Sequence, residues 1–206
     1  RPTSSRSRGR TDGREPFDET RRALLDAAVE CLVEHGFAGT TTLEVQKKAG
    51  VSRGALLHHF PSKAELLVAT IAHLAEMRGR DLKQRSAALP TGPARIDAVL
   101  ALIWECFNGP LFQVGMELRA AARTEPELRD ALTSAERDVH AKILAQAAAL
   151  FGPEISARPG FEPAMELTLH LMMGAAMTTL LHNEPRIQSR INQWKTLFPS
   201  LLEKTS

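Results

Sequence analysis

The chain has 206 residues, which is enough for one domain or for a small domain joined to a larger one. Hydrophobic residues make up 43% of it and charged residues 24%, proportions that exclude a globally disordered protein. Aromatic residues are scarce at 5%, and there is no tyrosine, so leucine, alanine and methionine must fill the core. These residues lose little rotamer freedom in a helix, and the composition therefore favours helices.

The net charge is +2, and the basic excess lies in the first 16 residues. This segment carries five arginines against Asp12 and Glu15, a net charge of +3, whereas residues 17–206 carry 21 basic and 22 acidic side chains, a net charge of −1. A segment so rich in arginine, serine and glycine cannot pack a core, and we expect it to be disordered when free. It is either an arm that contacts DNA or a solvated leader. Overall charge is therefore weak evidence for a nucleic-acid partner.

Signals of secretion and of membrane insertion are missing. Cys31 and Cys106 are too few for a disulfide framework, and no segment has the form of a secretory signal. The most apolar stretch, 164–181, contains Glu166 and His170, so we expect a buried helix there rather than a membrane span. These features predict a cytoplasmic protein without a membrane partner.

Four helices are predicted in the N-terminal part of the chain. Side chains that can accept from free N–H groups open them, and glycines end the first two. The signals are Asp18 and Gly36 for the first helix, Thr41 with Glu44 and Gly50 for the second, Ser52 for the third over 53–59, and Ser62 with Glu65 for the fourth, which extends to about Ala88.

Five further helices are predicted after a break at 89–93. They cover 94–107, 110–123, 126–151, a segment with Pro163 in its first turn that extends to His182, and 186–203, with a loop from Gly152 to Phe161. No stretch alternates apolar and polar residues long enough to predict a strand. The expected fold is all-α with about nine helices, divided into a disordered arm (1–16), a three-helix head with a helix-turn-helix (17–61) and a larger helical ligand-binding and dimerisation domain (62–206).

The second and third predicted helices have the form of a helix-turn-helix. Two short helices surround a tight turn at 49–52, and an apolar inner face is formed by Leu43, Val45, Ala49, Val51, Leu56 and Phe60. Arg53, Gly54, Leu57, His58 and His59 are left on or near the outer face of the second of these helices. In this motif that helix enters the major groove, its N-terminal end first, and Arg53 at this end can offer a bidentate contact to guanine.

This segment resembles the DNA-binding head of TetR-family transcriptional regulators. The resemblance covers residues 20–67 and lies in the Gly36-Phe37 turn, the Thr40-Thr41-Thr42 run, Ala49-Gly50-Val51-Ser52, and the pattern Gly54, Leu56, His59-Phe60, Ser62-Lys63 and Leu66. It implies phosphate contacts from Thr40 or Thr41, from His59 and from Lys63, with Lys47, Lys48 and Ser52 on the same surface. A family member usually carries tyrosine at the position of Leu57, so another group, with His58 nearest, must supply that contact.

Catalytic and metal sites have no support in the sequence. No Gly-x-Ser-x-Gly elbow, phosphate-binding glycine loop, HExxH motif or pair of catalytic carboxylates is present, and no cofactor is expected. The adjacent His58 and His59 point about 100° apart on a helix, and no cysteine or carboxylate completes a ligand set with them. Small-core packing is the expected role of both cysteines, with thiol sensing at Cys106 as the alternative.

The last two predicted helices are candidates for a two-fold dimer interface. The first of them is apolar nearly all round and must be covered on every side, either by its own chain or by a second copy. The interpretation we favour assigns to the interface Met172, Gly174, Ala175, Leu181, Ile187, Ile191, Trp194 and Phe198. The alternative is that the same residues form the core of a single chain.

A small apolar effector is expected to bind the larger domain. The candidate lining residues are Trp104, Phe107, Phe112, Gln113, Met116, His140, His170, Met173 and Met177, although residues at such spacings are often ordinary core. The sequence therefore predicts a homodimeric repressor that an effector releases from a palindromic DNA operator. The alternative function is a helical carrier or protein-interaction module without sequence-specific DNA binding.

Overall fold

A computed structural model describes residues 14–179 and 185–203, with side chains from residue 17 onward except those of residues 110 and 111. Its helices are α1 (Arg14–Gly39), α2 (Thr42–Ala49), α3 (Arg53–His59), α4 (Lys63–Ser86), α5 (Ala94–Cys106), α6 (Pro110–Ala122), α7 (Pro126–Phe151), α8 (Pro153–Ser156), α9 (Phe161–Thr179) and α10 (Pro185–Leu201). No strand occurs in these ranges, and the all-α prediction is confirmed. Residues 1–13 of the arm and Leu181 lie outside the described residues.

Two predicted elements are corrected. The first helix begins at Arg14, so Asp18 lies inside it and is not its cap. Pro16 is tolerated there because the N–H groups of a first turn have no intrahelical partner. The segment 152–161 is not a continuous loop, because α8 follows Gly152, whose φ of 83° turns the chain, and buries Ile155.

Gly36 interrupts α1 where its glycine signal predicted the end of the helix, and the helix resumes as far as Gly39. Its backbone angles are φ 66° and ψ −176°, a conformation that a side chain would strain. Both the backbone N–H and the hydroxyl of Thr40 donate to the Gly36 carbonyl, at 3.2 and 2.7 Å. The turn from Gly36 to Thr40 is therefore closed by two hydrogen bonds.

The chain divides into two compact units, the first ending at Ile71 and the second beginning at Ala72, inside α4. The core of the first unit is formed by Leu24, Leu25, Ala27, Ala28, Cys31, Val45, Leu56, Phe60 and Leu66. Val45, Leu56 and Phe60 thus have the predicted core positions, but Leu43 is 53% exposed and does not. Residues two positions apart on a helix point about 200° away from each other, so Leu43 points away from the face that Val45 buries. The predicted boundary at residue 61 stays a prediction.

The core of the second unit lies between α5, α7, α9 and α10. Phe151 is stacked on Phe198 with ring centroids 5.3 Å apart. The buried Thr168 hydroxyl donates to the Ala164 carbonyl at 2.7 Å and accepts from the Trp194 indole N–H at 3.0 Å. This bond joins α9 to α10 and leaves the indole with a partner. Nowhere in the described ranges is a helix long and apolar enough to cross a bilayer.

Candidate nucleic-acid interface

Three local signals define the turn between α2 and α3. The Glu44 N–H donates to the Thr41 hydroxyl at 3.2 Å, and the Thr41 N–H donates to the Glu44 carboxylate at 3.0 Å, which completes a capping box. The hydrogen bonds that the Thr41 N–H and the Thr41 hydroxyl donate to the Glu44 carboxylate lower the pKa of Glu44. Gly50 ends α2 in the left-handed conformation (φ 68°), and the Ser52 hydroxyl caps α3 by accepting from the Ala55 N–H at 3.2 Å. The predicted helix-turn-helix is confirmed with its predicted caps.

One face of α3 and its N-cap are exposed and carry five of the eleven residues predicted to contact DNA. Leu56 is buried on the inner side, and Ser52, Arg53, Gly54, Leu57 and His58 are exposed. Leu57, at 45% exposure, offers an apolar side chain at the position where members of the resembled family usually carry tyrosine. Among the described atoms beyond its chain neighbours, a Cβ atom on Gly54 would meet the Ser52 Oγ atom alone, at 3.9 Å, so packing against these residues does not require glycine here.

The two candidate threonines differ in exposure. Thr40 is 1% exposed, and its hydroxyl is already bound to the Gly36 carbonyl. Thr41 is exposed, but its hydroxyl belongs to the capping box of α2. A phosphate contact from this pair stays a prediction, and Thr41 is the member with exposed surface.

The three candidate lysines have different surroundings. Lys48 Nζ lies 2.7 Å from the Glu34 carboxylate and 3.2 Å from that of Glu30, and these pairs hold α2 against α1. Lys47 is exposed. Lys63 Nζ lies over the Phe37 ring, 4.6 Å from its centroid. The roles of Glu30, Glu34 and Phe37 were not predicted, because only the fold brings them to these lysines.

His59 lies at the end of α3 and is partly buried. Its ring is 4.2 Å from the Phe17 ring, centroid to centroid, and its Nδ1 atom is buried without a hydrogen-bond partner in the described part of the chain. Burial lowers the pKa of His59, and the nearby His58 and Arg21 lower it further. The lowered pKa does not remove His59 as a donor, since a neutral imidazole can still donate one N–H to a phosphate.

Comparison with known proteins agrees with this geometry. Residues 24–70 match the family model described as bacterial regulatory proteins of the tetR family. The regulator BetI of Burkholderia mallei is 31% identical over 132 residues, which cover 62% of this chain and 68% of BetI. The chain belongs to the TetR family.

Members of the TetR family are DNA-binding transcriptional regulators, and so is this chain. An uncharacterised HTH-type regulator of Mycobacterium tuberculosis is 28% identical over 173 residues, which cover 84% of this chain and 89% of that one. A crystal structure of the multidrug-binding protein EbrR with ethidium shares the TetR fold at a TM-score of 0.59. It is 20% identical, and the match covers 89% of this chain and 98% of EbrR.

The residues predicted to line an effector site differ in burial. Trp104 is buried in the core of the second unit, and Phe107 and Phe112 pack against this core with their ring centroids 5.3 Å apart. Met116 and Met173 are partly buried, whereas Gln113, His170 and Met177 are exposed.

Glu166 joins the two candidate histidines, a link that was not predicted from the sequence. Its carboxylate lies 2.6 Å from His140 Nε2, and its backbone carbonyl accepts from His170 Nδ1 at 2.8 Å. The spacing of four residues to His170 was visible in the sequence, but the contact with His140 on α7 was not. Among the described residues, no three metal-binding side chains come together.

Four of the residues predicted for the dimer interface are buried in the core of their own chain. Met172, Ile191 and Phe198 have no exposed surface, and Ile187 is 7% exposed. Trp194 and Ala175 are partly buried. Gly174 is exposed, and apart from its chain neighbours and the backbone of its own helix no atom of the described residues lies within 4 Å of the point that a Cβ atom would occupy. A buried side chain has no surface to offer a second copy, so among the described candidates Trp194, Ala175 and Gly174 are those that can contact one directly.

Proposed function

We propose that the chain is a homodimeric repressor that leaves a palindromic operator when a small apolar effector binds its second unit. The observation that carries this proposal is the exposed face of α3, presented by a fully capped helix-turn-helix. Such a helix enters the major groove, and two copies related by a two-fold axis read two half-sites.

Base and phosphate contacts have different sources in this proposal. Arg53, in the first turn of α3, makes the bidentate contact to guanine. Lys63, in the first turn of α4, binds a phosphate where free backbone N–H groups already favour an anion. Thr41, Lys47 and His59 supply further phosphate contacts, which fix the register of the protein without selecting sequence.

The dimer uses the outer side of the last two described helices. Leu167 and Met177, both on α9, are 54% and 47% exposed, and Leu197 on α10 is 57% exposed. Residues spaced by three or four lie on one face of a helix, and on α9 this face carries Leu167, His170, Leu171, Gly174, Met177 and Thr178. Large exposed apolar side chains in one stripe are typical of an interface, and the small Gly174 at its centre permits close approach.

The effector site lies beside the aromatic side chains of the second unit. EbrR, which shares the fold, was solved with ethidium and with proflavin, both planar aromatic compounds. The partly buried Phe107 and Phe112, next to Trp104, offer this chain a surface of matching chemistry. Release from DNA requires that the effector prefer the conformation that does not bind the operator. A coupling of about 1–3 kcal/mol would change operator affinity by about 5–150-fold.

Selection of bound sequences from a random duplex library tests the proposal. The purified full chain should enrich an inverted repeat whose half-sites are separated by one helical turn or a multiple of it. Enrichment of a single half-site would contradict the dimer, and enrichment of no sequence by a folded chain would contradict sequence-specific binding. Planar aromatic compounds added to the selected complex should then lower its affinity.

A further inference from the structure

Lys63 and Phe37 contact each other at the start of α4. The distance of 4.6 Å from Nζ to the ring centroid is within the range of about 6 Å over which an aromatic face attracts an ammonium group. Both side chains are partly buried. Phe37 follows the break in α1 at Gly36, and Lys63 follows Ser62, the residue that caps α4. The contact therefore joins the end of α1 to the start of α4.

Both partners extend from backbone segments that local hydrogen bonds hold in place. Phe37 follows Gly36, whose carbonyl accepts both bonds from Thr40. Lys63 follows Ser62, whose hydroxyl accepts from the Glu65 N–H at 3.1 Å. The freedom that remains is in the long lysine side chain, and the ring restricts it.

Lys63 is held by an aromatic ring, whereas Lys48 is held by two carboxylates, and the two kinds of contact differ in their effect on the lysine charge. Glu30 and Glu34 accept hydrogen bonds from Lys48 and cancel its charge locally. A ring face attracts an ammonium through its quadrupole and carries no net charge, so the charge of Lys63 is kept. A lysine held by a ring therefore stays able to donate to a phosphate.

We propose that Phe37 is a positioning residue for DNA binding, whose ring orders the Lys63 ammonium for its phosphate contact. The inference rests on the proposed function, in which Lys63 contacts a phosphate. A free lysine side chain has high conformational entropy. A lysine that is already ordered before binding loses less of this entropy when it contacts a phosphate. Phe37→Leu should weaken operator binding by about two- to fivefold per head, the range expected for one exposed cation–π contact.

A double-mutant cycle separates this role from general packing. The effects of Phe37→Leu and Lys63→Met on the free energy of operator binding should be less than additive, because each substitution removes the same contact. Phe37→Leu combined with Lys47→Met should be additive, since Lys47 is an exposed lysine of α2 outside the contact. Additive effects with Lys63, or tighter binding by Phe37→Leu alone, would overturn the proposal.

Fluorinated phenylalanines at position 37 provide a test that preserves the shape of the ring. Each added fluorine weakens the negative face, so operator affinity should fall steadily from phenylalanine to its pentafluoro analogue. A purely steric role for Phe37 predicts no such trend, and a flat series would contradict positioning by the ring.

An NMR measurement on the free protein tests the contact without DNA. The Lys63 ε-methylene protons should be shifted upfield by the ring in the wild type and should return to ordinary values in Phe37→Leu. The absence of this shift in a folded wild-type protein would overturn the inference while leaving the proposed function untouched. Failure of the wild type to select any operator, with the shift present, would instead contradict the proposed function.

Discussion

Lys48 Nζ lies 2.7 Å from the Glu34 carboxylate, which makes Lys48 a link between α2 and α1. The hydrogen bond from Lys48 lowers the pKa of Glu34, and the bond to Glu34 raises the pKa of Lys48. Glu30 lies 3.2 Å from the same ammonium, so two carboxylates compensate one positive charge. A lysine in this position links α2 to α1, and its charge is compensated locally by these two carboxylates.

The salt dependence of operator binding should therefore distinguish Lys48 from Lys63. Each phosphate neutralised contributes about 0.9 to the slope of log K against log salt, so Lys63→Met should lower the slope of a dimer by about 1.8. Lys48→Met should leave the slope nearly unchanged, because its charge is already paired. Affinities measured over a series of salt concentrations give both slopes. Equal losses of slope for the two variants would show that Lys48 leaves its carboxylates to bind DNA.

Gly54→Ala should separate folding from DNA binding. Within the described part of the chain a Cβ atom at this position approaches only Ser52 Oγ, at 3.9 Å, so alanine fits and should stabilise the head by about 0.5–1 kcal/mol. In the complex the added methyl group would crowd the DNA, and overpacking of this kind costs about 1–3 kcal/mol. Thermal unfolding and operator titration measure the two effects.

Gly115→Ala is the matched control for this prediction. Gly115 lies in α6, and among the described side chains the nearest atom to its Cβ position is in the Arg119 guanidinium, at 3.6 Å. The control should gain stability and keep its operator affinity. Unchanged affinity in Gly54→Ala would place the DNA away from this part of α3.

Arg53→Ala should relax base preference at one position in each half-site. A bidentate arginine contributes about 1–3 kcal/mol of discrimination, and its removal should leave the other positions of the selected repeat unchanged. Sequence selection repeated with the variant measures this directly. Arg129→Ala, which changes an exposed arginine of the second unit, is the control and should select the wild-type repeat. A uniform loss across all positions would assign Arg53 to a phosphate instead.

The bounds of α3 and both caps of α2 could be predicted because their signals are local. Thr41 and Glu44 are three residues apart, Ser52 caps a helix that begins at the next residue, and Gly50 supplies a conformation that few other residues adopt. Such contacts form within one helical turn and can be read from spacing alone.

Contacts between distant segments could not be predicted from the sequence. Glu34 and Lys48 are 14 positions apart, and His140 and Glu166 are 26 apart, so only the fold shows that they meet. The burial of Ile191 is a related case. The apolar spacing in α10 predicts that one face must be covered, but it does not reveal whether the same chain or a second copy covers it.

The stability of the head should depend on the protonation of His59. Its pKa is lowered from 6.5, chiefly by burial, so the unfolded chain binds this proton more readily than the folded chain does. The stabilising contribution is therefore fully present above about pH 6.5 and is lost as the pH falls toward the lowered value. The free energy of unfolding should be measured for the wild type and for His59→Gln at about pH 8 and about pH 5.5. It should fall less between these two pH values in the variant than in the wild type. An equal change in both proteins would mean that other groups cause the pH dependence.

Gly174→Glu should dissociate the dimer without unfolding the chain. Gly174 is exposed on α9, and no side chain of the described residues beyond its chain neighbours lies within 4 Å of its Cβ position, so these residues leave room for a side chain there. At a dimer interface the same carboxylate would be buried without a partner, at a cost of about 3 kcal/mol or more, which raises the dimer dissociation constant more than a hundredfold. Sedimentation should then show monomers, and affinity for the inverted repeat should fall because the two α3 helices are no longer linked. Gly115→Glu on α6 is the control and should stay dimeric. A dimer that persists in Gly174→Glu would move the interface away from this stripe of α9.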